Sequence, residues 1–230
     1  EVPPEHADGD DVMKTYRALG ALLTYPSQEL IDALPEIADA LRQEGMIGAP
    51  CLAKIDGLIG HLEGTDLMDL QDDFVSLFDR TRSLSLHLYE HLYGEARERG
   101  QAMVRLQTLY KFHGLEHTSA ELPDYLPLFC EFLSLMPDRT ARTILSDAAA
   151  TIEALHQRSV KKGTAYACVF DALTTLASKT IDRAQLAEIM RGGGVDDDSF
   201  EALDRDWEDA PVTFGAGDAA KAFDPAQSRG

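Results

Sequence analysis

The sequence is poor in cysteine, in positive charge and in long apolar runs, and each shortage excludes a class of protein. Its three cysteines in 230 residues are Cys51, Cys130 and Cys168, which lie far apart and form no C-x-x-C pair. Such a pattern excludes a disulfide framework. Cys130 and Cys168 fall in apolar helical patterns, which predicts buried free thiols of the kind found in reducing compartments.

Apolar runs long enough to cross a membrane are absent from the sequence. The N-terminal stretch EVPPEHADGD is acidic and polar, whereas a secretory signal needs a basic start followed by an apolar stretch. We therefore expect a cytoplasmic protein that does not insert directly into a membrane.

Basic residues are outnumbered by acidic residues, 21 to 40, which gives a formal net charge of −19. This charge repels phosphate backbones and anionic lipid headgroups, so nucleic acid is not an expected partner. An acidic protein instead attracts a basic segment and speeds its encounter with it, an effect that weakens as salt rises. A basic protein segment is therefore the expected kind of partner.

Short catalytic motifs are also missing. The sequence contains no G-x-S-x-G nucleophile elbow and no glycine-rich dinucleotide fingerprint. The triple glycine at 192–194 is not followed by G-K-[ST] and so is not a phosphate loop. These absences lower the expectation of an enzyme, although an active site assembled from distant residues would leave no such trace.

Apolar residues recur at helical spacing along most of the chain, which predicts an all-α helical bundle. Leu84, Leu86 and Leu88 alternate with polar residues as in a strand, but no second β-rich run with hairpin turn chemistry is present. Residues 83–88 are therefore predicted to be an extended or irregular entry to the next helix.

The chain length suits one globular domain with a tail. We predict a flexible N-terminus at 1–10, an all-α domain at 11–191 and an acidic tail at 192–230. Between residues 196 and 209 the sequence holds eight acids and one base. Low apolar content and clustered like charge are typical of disorder.

One motif points to different chemistry: His87, Glu90 and His91 spell H-x-x-E-H, the inverted zincin signature. In that class two histidines one helical turn apart bind zinc beside a glutamate base. A catalytic zinc also needs a third protein ligand, an open position and orienting partners, which a short match does not supply. Hydrogen bonds to carboxylates or backbone carbonyls, or contact with a bound partner, explain the histidines without metal. A zinc hydrolase is therefore the less favoured alternative.

Three segments carry a resemblance to a known family. They are SLSLHLYEHLYGEARERGQAM at 83–103, ELPDYLPLF at 121–129 and WEDAPVTFG at 207–215. Together they resemble the NarJ-type chaperones that assemble the molybdenum-containing catalytic subunit of respiratory nitrate reductase. The resemblance covers most of the chain in order. It implies the all-α, TorD-like fold of the redox-enzyme maturation chaperones, and a protein that is not an enzyme and has no cofactor of its own.

By the same resemblance, the partner is the nitrate reductase catalytic subunit. The parts bound are its basic, amphipathic N-terminal segment and its apo form, held until the molybdenum cofactor is inserted and before membrane attachment. Cofactor-delivery proteins are further expected partners, and chaperones of chlorate or selenate reductases are an open alternative. A Glu-Pro-x-Asp-His pattern is common in the wider family, whereas Asp124 is followed here by Tyr125, which favours the nitrate reductase branch.

The same segments supply aromatic anchors and acidic steering groups that could border a client-binding groove. The predicted client-binding residues are Tyr89, Glu90, His91, Arg97, Glu121, Asp124 and Tyr125. Pro123 and Pro127 suit a rigid turn leading into a helix capped by Asp124. The alternative for Tyr125 is packing against the bundle, and for Arg97 it is a polar network within its own helix.

Overall fold

The computed structural model describes residues 13–93, 96–115 and 121–192. Its α-helices are α1 (Lys14–Ala21), α2 (Gln28–Glu44), α3 (Ala49–Gly64), α4 (Leu67–Phe74), α5 (Ala96–Phe112), α6 (Leu126–Ser134), α7 (Asp138–Lys162), α8 (Ala167–Leu176) and α9 (Arg183–Gly192). The all-α fold class is thereby confirmed for the described part of the chain.

The chain divides after Gly194 into two units, and every described residue belongs to the first. The N-terminus predicted at 1–10 lies outside the described residues, and so does the tail predicted at 192–230 apart from Gly192, which is the last residue of α9. Within the described ranges, no helix is both long enough and apolar enough to cross a membrane.

Helix boundaries follow the capping chemistry of the sequence. Ser27 and Asp66 each accept a hydrogen bond from a backbone amide in the first turn of α2 and α4, respectively. Gly45 ends α2 with φ of 65°, and Gly163 ends α7 with φ of 73°. Both values lie in the left-handed region, where glycine avoids the steric cost of a side chain.

The core lies between the long helix α7 and the helices around it. α7 packs against α6, α8 and α9, while α1 packs against α2 and α6. The three cysteines are buried and free, which confirms the prediction for Cys130 and Cys168. Burial raises the pKa of the Cys130 thiol to about 12, so Cys130 behaves as an apolar side chain.

Helices α1 and α6 approach closely at Gly20. A Cβ at this position would lie 2.8 Å from the Cβ of Cys130 and 3.1 Å from the backbone oxygen of Pro127. Both distances are shorter than ordinary contacts, so the packing requires glycine. The contact fixes α6, which begins directly after the 121–125 loop.

Gly20→Ala is expected to destabilise the protein by about 1–3 kcal/mol, because α1 and α6 must separate to admit the methyl group. The matched control is Gly57→Ala in α3, where nothing lies within 4 Å of the added Cβ. The control should stabilise by about 0.5–1 kcal/mol, because alanine is the better helix former. Urea unfolding followed by circular dichroism measures both changes, and effects of the same sign would contradict the close approach.

Between α4 and α5 the chain leaves α-helical geometry. It passes through a π-helical turn at Val75–Asp79 and two 3₁₀ turns at Arg82–Leu84 and Leu88–Glu90. An isolated antiparallel bridge joins His87 to Tyr125, immediately before α6. The irregular entry predicted from the alternating leucines is confirmed, and its partner is a loop far along the chain.

Candidate functional site

Two of the identifying segments meet at one place, the junction, which consists of residues 83–91 and 121–126. The backbone N–H of Leu88 donates to the carbonyl of Asp124 at 3.0 Å. The side chains of Leu86 and Leu88 are buried in the core. Burial of the leucines and backbone pairing together explain why a strand-like pattern occurs here without a sheet.

Asp124 lies at the centre of the junction and is fully buried. Its carboxylate accepts hydrogen bonds from Nδ1 of His87 at 3.3 Å and from the backbone N–H of Tyr89 at 2.9 Å. The hydrogen bond to Asp124 raises the pKa of the His87 imidazole above its usual value of 6.5, although burial opposes this effect. The carboxylate therefore clamps the 83–91 segment onto the 121–126 loop.

One of the two predictions for Asp124 needs correction. The predicted helix cap is wrong, because Tyr125 occupies the N-cap position of α6 and the Asp124 carboxylate bonds to the 83–91 segment instead. The predicted client contact of Asp124 stays a prediction; its side chain is 0% exposed in the chain without a client. Asp124 is a positioning residue.

His91 is held from the other side by Arg158 of α7. Its Nε2 lies 2.8 Å from the carbonyl of Ser85, and its Nδ1 lies 3.2 Å from the guanidinium of Arg158. A carbonyl accepts and a guanidinium donates, so Nε2 carries the proton and Nδ1 is the acceptor. Burial is the main cause that lowers the pKa of His91 below 6.5, which keeps this imidazole neutral.

Arg158 connects three parts of the structure. It donates to the carbonyl of Ser83 at 3.0 Å and to the carbonyl of Ile189 in α9 at 2.8 Å. The sequence reasoning missed Arg158, because it belongs to no motif. Its position three and four residues after Leu155 and Ala154, on the buried stripe of α7, was the signal that could have identified it.

The H-x-x-E-H residues do not form the zincin arrangement. His87 precedes the 3₁₀ turn and His91 follows it, and both ring nitrogens of His91 have hydrogen-bond partners. Glu90 forms an ion pair with Arg99 of α5 at 3.1 Å. Across the described residues, no group of three His, Cys, Asp or Glu side chains could hold a metal ion. These contacts favour the structural interpretation of the two histidines.

The other predicted residues differ in exposure. Tyr89 and Tyr125 are half-buried, and burial raises the pKa of each phenol to about 12. Glu121 and Arg97 are exposed. The structure brings together at the junction Tyr89, Glu90, His91, Asp124 and Tyr125. Among the described contacts, no hydrogen bond or ion pair links Arg97 or Glu121 to them.

A groove of about 1200 Å³ runs between α1 and α2, and none of the seven predicted residues lines it. Its apolar lining consists of Ala18, Ala21, Leu30, Ala33, Pro35, Ile37 and Ala40. Exposed acids, Glu29, Glu36 and Asp39, stand along the α2 side. The repeated acids of α2 were visible in the sequence, but the groove itself depends on how α1 packs against α2.

Comparison with known proteins places the chain among related sequences. The family model described as nitrate reductase delta subunit matches residues 26–172. The nitrate reductase molybdenum cofactor assembly chaperone NarJ of Escherichia coli K12 is 37% identical over 203 residues, which cover 86% of this chain and 86% of that protein. The protein of the same name in Escherichia coli O157:H7 gives the same values.

A solved structure shows the same fold. It is the crystal structure of a redox enzyme maturation protein from Archaeoglobus fulgidus, which is 22% identical in sequence. The TM-score is 0.53, and the match covers 76% of this chain and 100% of the other.

Proposed function

Because the chain belongs to the nitrate reductase delta subunit family, we propose that it is a chaperone for molybdenum cofactor assembly in a nitrate reductase. Its client is the catalytic subunit, bound in the cytoplasm through the N-terminal segment and in the immature form, before membrane attachment. It acts by binding and not by catalysis. The molybdenum cofactor belongs to the client, into which it is inserted.

The groove between α1 and α2 is the observation that supports binding of a client segment. Its volume of about 1200 Å³ exceeds the roughly 300–1,000 Å³ typical of small-molecule pockets. An amphipathic helix binds such a groove by laying its apolar face on the apolar lining. The groove therefore suits a peptide segment better than a small metabolite.

Charges on the two sides of the groove orient the client. Glu29, Glu36 and Asp39 are exposed on the α2 side, whereas Lys14 and Arg17 are exposed on the α1 side. A basic segment gains attraction from the first set and repulsion from the second. Its positive residues are therefore expected to lie against α2.

The junction is the competing location for the same segment. Tyr89 and Tyr125 are partly exposed there and Glu121 is exposed, so aromatic and acidic groups do reach the surface. However, the charge of Glu90 is already paired with Arg99 at 3.1 Å. This pairing weakens the attraction of the junction for a basic partner. In the groove Asp39 is likewise paired, with Arg42 at 3.5 Å, so the preference for the groove rests on Glu29 and Glu36.

Calorimetric titration with the N-terminal peptide of a cognate nitrate reductase catalytic subunit tests the proposal. Saturable binding is expected for this peptide and not for a scrambled peptide of the same charge. The variant Glu29→Lys/Glu36→Lys is expected to weaken binding by about 10-fold to 100-fold, because it repels the basic face of the client. The loss should shrink at high salt, since both side chains are exposed.

The matched control changes the same number of charges at the junction, in Glu90→Lys/Glu121→Lys. Binding by this control is expected to stay within about twofold of the unmodified protein. The reverse pattern would move the client segment to the junction. Absence of binding by the unmodified protein would reject the N-terminal segment as the client.

A further inference from the structure

Helix α5 presents a broad exposed face to solvent. The helix buries Ala102, Leu106 and Tyr110 in the core. The opposite side carries exposed residues: Arg97, Gln101, Val104, Arg105, Thr108, Lys111 and Phe112. At about 100° per residue these positions fall within a sector of about 120°. We call this set the α5 face.

The α5 face is positive on an otherwise acidic protein. Arg97, Arg105 and Lys111 lie on it, while the chain as a whole carries a formal net charge of −19. Glu98 is the one acid in the sequence of α5. Among the described residues, Arg99 of α5 pairs with Glu90, and no ion pair includes Arg97, Arg105 or Lys111.

The α5 face also exposes apolar surface. Val104 is 62% exposed and Phe112 is 69% exposed. Their spacing of eight residues places them about 12 Å apart along one side of the helix. Aromatic and arginine side chains are enriched at protein interfaces, and the α5 face exposes both.

The sign of the charge decides which partner fits. A basic client segment would be repelled by Arg97, Arg105 and Lys111. Nucleic acid and anionic membranes are extended polyanions, which the net charge of −19 repels. A short acidic protein segment meets the three bases locally and avoids most of that repulsion.

We propose that the α5 face is a docking surface for an acidic amphipathic helix of a partner protein, separate from the groove between α1 and α2. Its carboxylates pair with Arg97, Arg105 and Lys111, and two of its apolar side chains cover Val104 and Phe112. The inference goes beyond the proposed client binding and does not depend on it.

The test uses a synthetic, fluorescently labelled helical peptide with leucines eight residues apart on one side and glutamates flanking them. Anisotropy titration with the full chain is expected to show saturable binding that weakens as salt rises. Arg97→Glu/Arg105→Glu/Lys111→Glu should weaken binding at least about tenfold, and Val104→Ser/Phe112→Ser should weaken it severalfold.

The matched control is Arg80→Glu/Arg139→Glu/Arg183→Glu, which reverses the same number of exposed bases away from α5. The control is expected to bind the acidic peptide as the unmodified protein does. A peptide with lysine in place of each glutamate is expected to bind the unmodified protein and the α5 triple variant equally. Vesicles of phosphatidylglycerol and phosphatidylcholine are also expected to show no difference between the two proteins.

Three results would overturn the proposal: no binding of the acidic peptide, equal losses in the two triple variants, or vesicle binding in place of peptide binding. Circular dichroism of each variant separates loss of binding from loss of folding. Titration of Val104→Ser/Phe112→Ser with the basic client peptide should show undiminished binding, so the two proposals fail independently.

Discussion

Asp124→Ala is expected to destabilise the protein by about 3–5 kcal/mol, because a buried carboxylate that is paired and hydrogen-bonded is removed. The Nδ1 of His87 and the backbone N–H of Tyr89 both lose their acceptor in the interior. Urea unfolding measures the loss. Exposed Glu121 lies three residues earlier in the same loop, and Glu121→Ala should change stability by no more than about 0.5 kcal/mol.

The pH dependence of the free energy of unfolding shows how much of this stability comes from the bond between His87 and Asp124. The pKa of His87 is raised in the folded protein, so its bond to Asp124 contributes fully below the ordinary value of 6.5. The contribution is lost as the pH rises through the raised pKa. Asp124→Asn keeps an acceptor for Tyr89 but removes the charge, so this loss above 6.5 should disappear. If the free energy of unfolding changes with pH in the same way for Asp124→Asn and for the unmodified protein, the charge of Asp124 is not the cause of the pH dependence.

Arg158→Met is expected to cause a loss of similar size, about 3–5 kcal/mol, since methionine fills the space but donates no hydrogen bonds. The carbonyls of Ser83 and Ile189 and the Nδ1 of His91 would all lose a donor. The loss of stability for Arg158→Lys should be smaller than that for Arg158→Met but still measurable, because one ammonium cannot reach acceptors spread around a planar guanidinium.

Hydrogen exchange locates the effect of Arg158→Met. Faster exchange is expected both in residues 83–91 and in α9, the two regions that Arg158 connects. Arg139→Met, at an exposed position near the start of the same helix, is the control and should leave both regions unchanged. Faster exchange in α9 alone would mean that Arg158 does not hold the junction.

The parts of the fold that depend on local chemistry could be predicted from the sequence. Apolar spacing predicted the helical bundle, because the apolar stripe of a helix is set by residues only three or four positions apart. The cap predicted at Asp124 failed for the opposite reason. Its carboxylate bonds to His87, 37 positions earlier in the chain, and local rules do not foresee such a partner.

The candidate site, like the fold, could be predicted from the sequence only in part. The predicted residues Tyr89, Glu90 and Tyr125 do come together. The two segments that contain them lie against each other at the bridge between His87 and Tyr125. The position of Arg158 on the buried stripe of α7 was visible in the sequence, but its three partners and the groove between α1 and α2 could not be predicted, since both arise from helix packing. Packing angles depend on the complementarity of whole surfaces and leave no short motif.

The long-range contacts of the junction also order the events of biosynthesis. At about 5–20 residues per second, the ribosome reaches Asp124 about 2–7 s after His87, since the two are 37 positions apart. It reaches Arg158 about 3–13 s after His91, since these are 67 positions apart. Until Asp124 has been synthesised, residues 83–91 have neither Asp124 nor Arg158 as a buried partner. A nascent chain would thus complete the junction only after Arg158 of α7 has been synthesised.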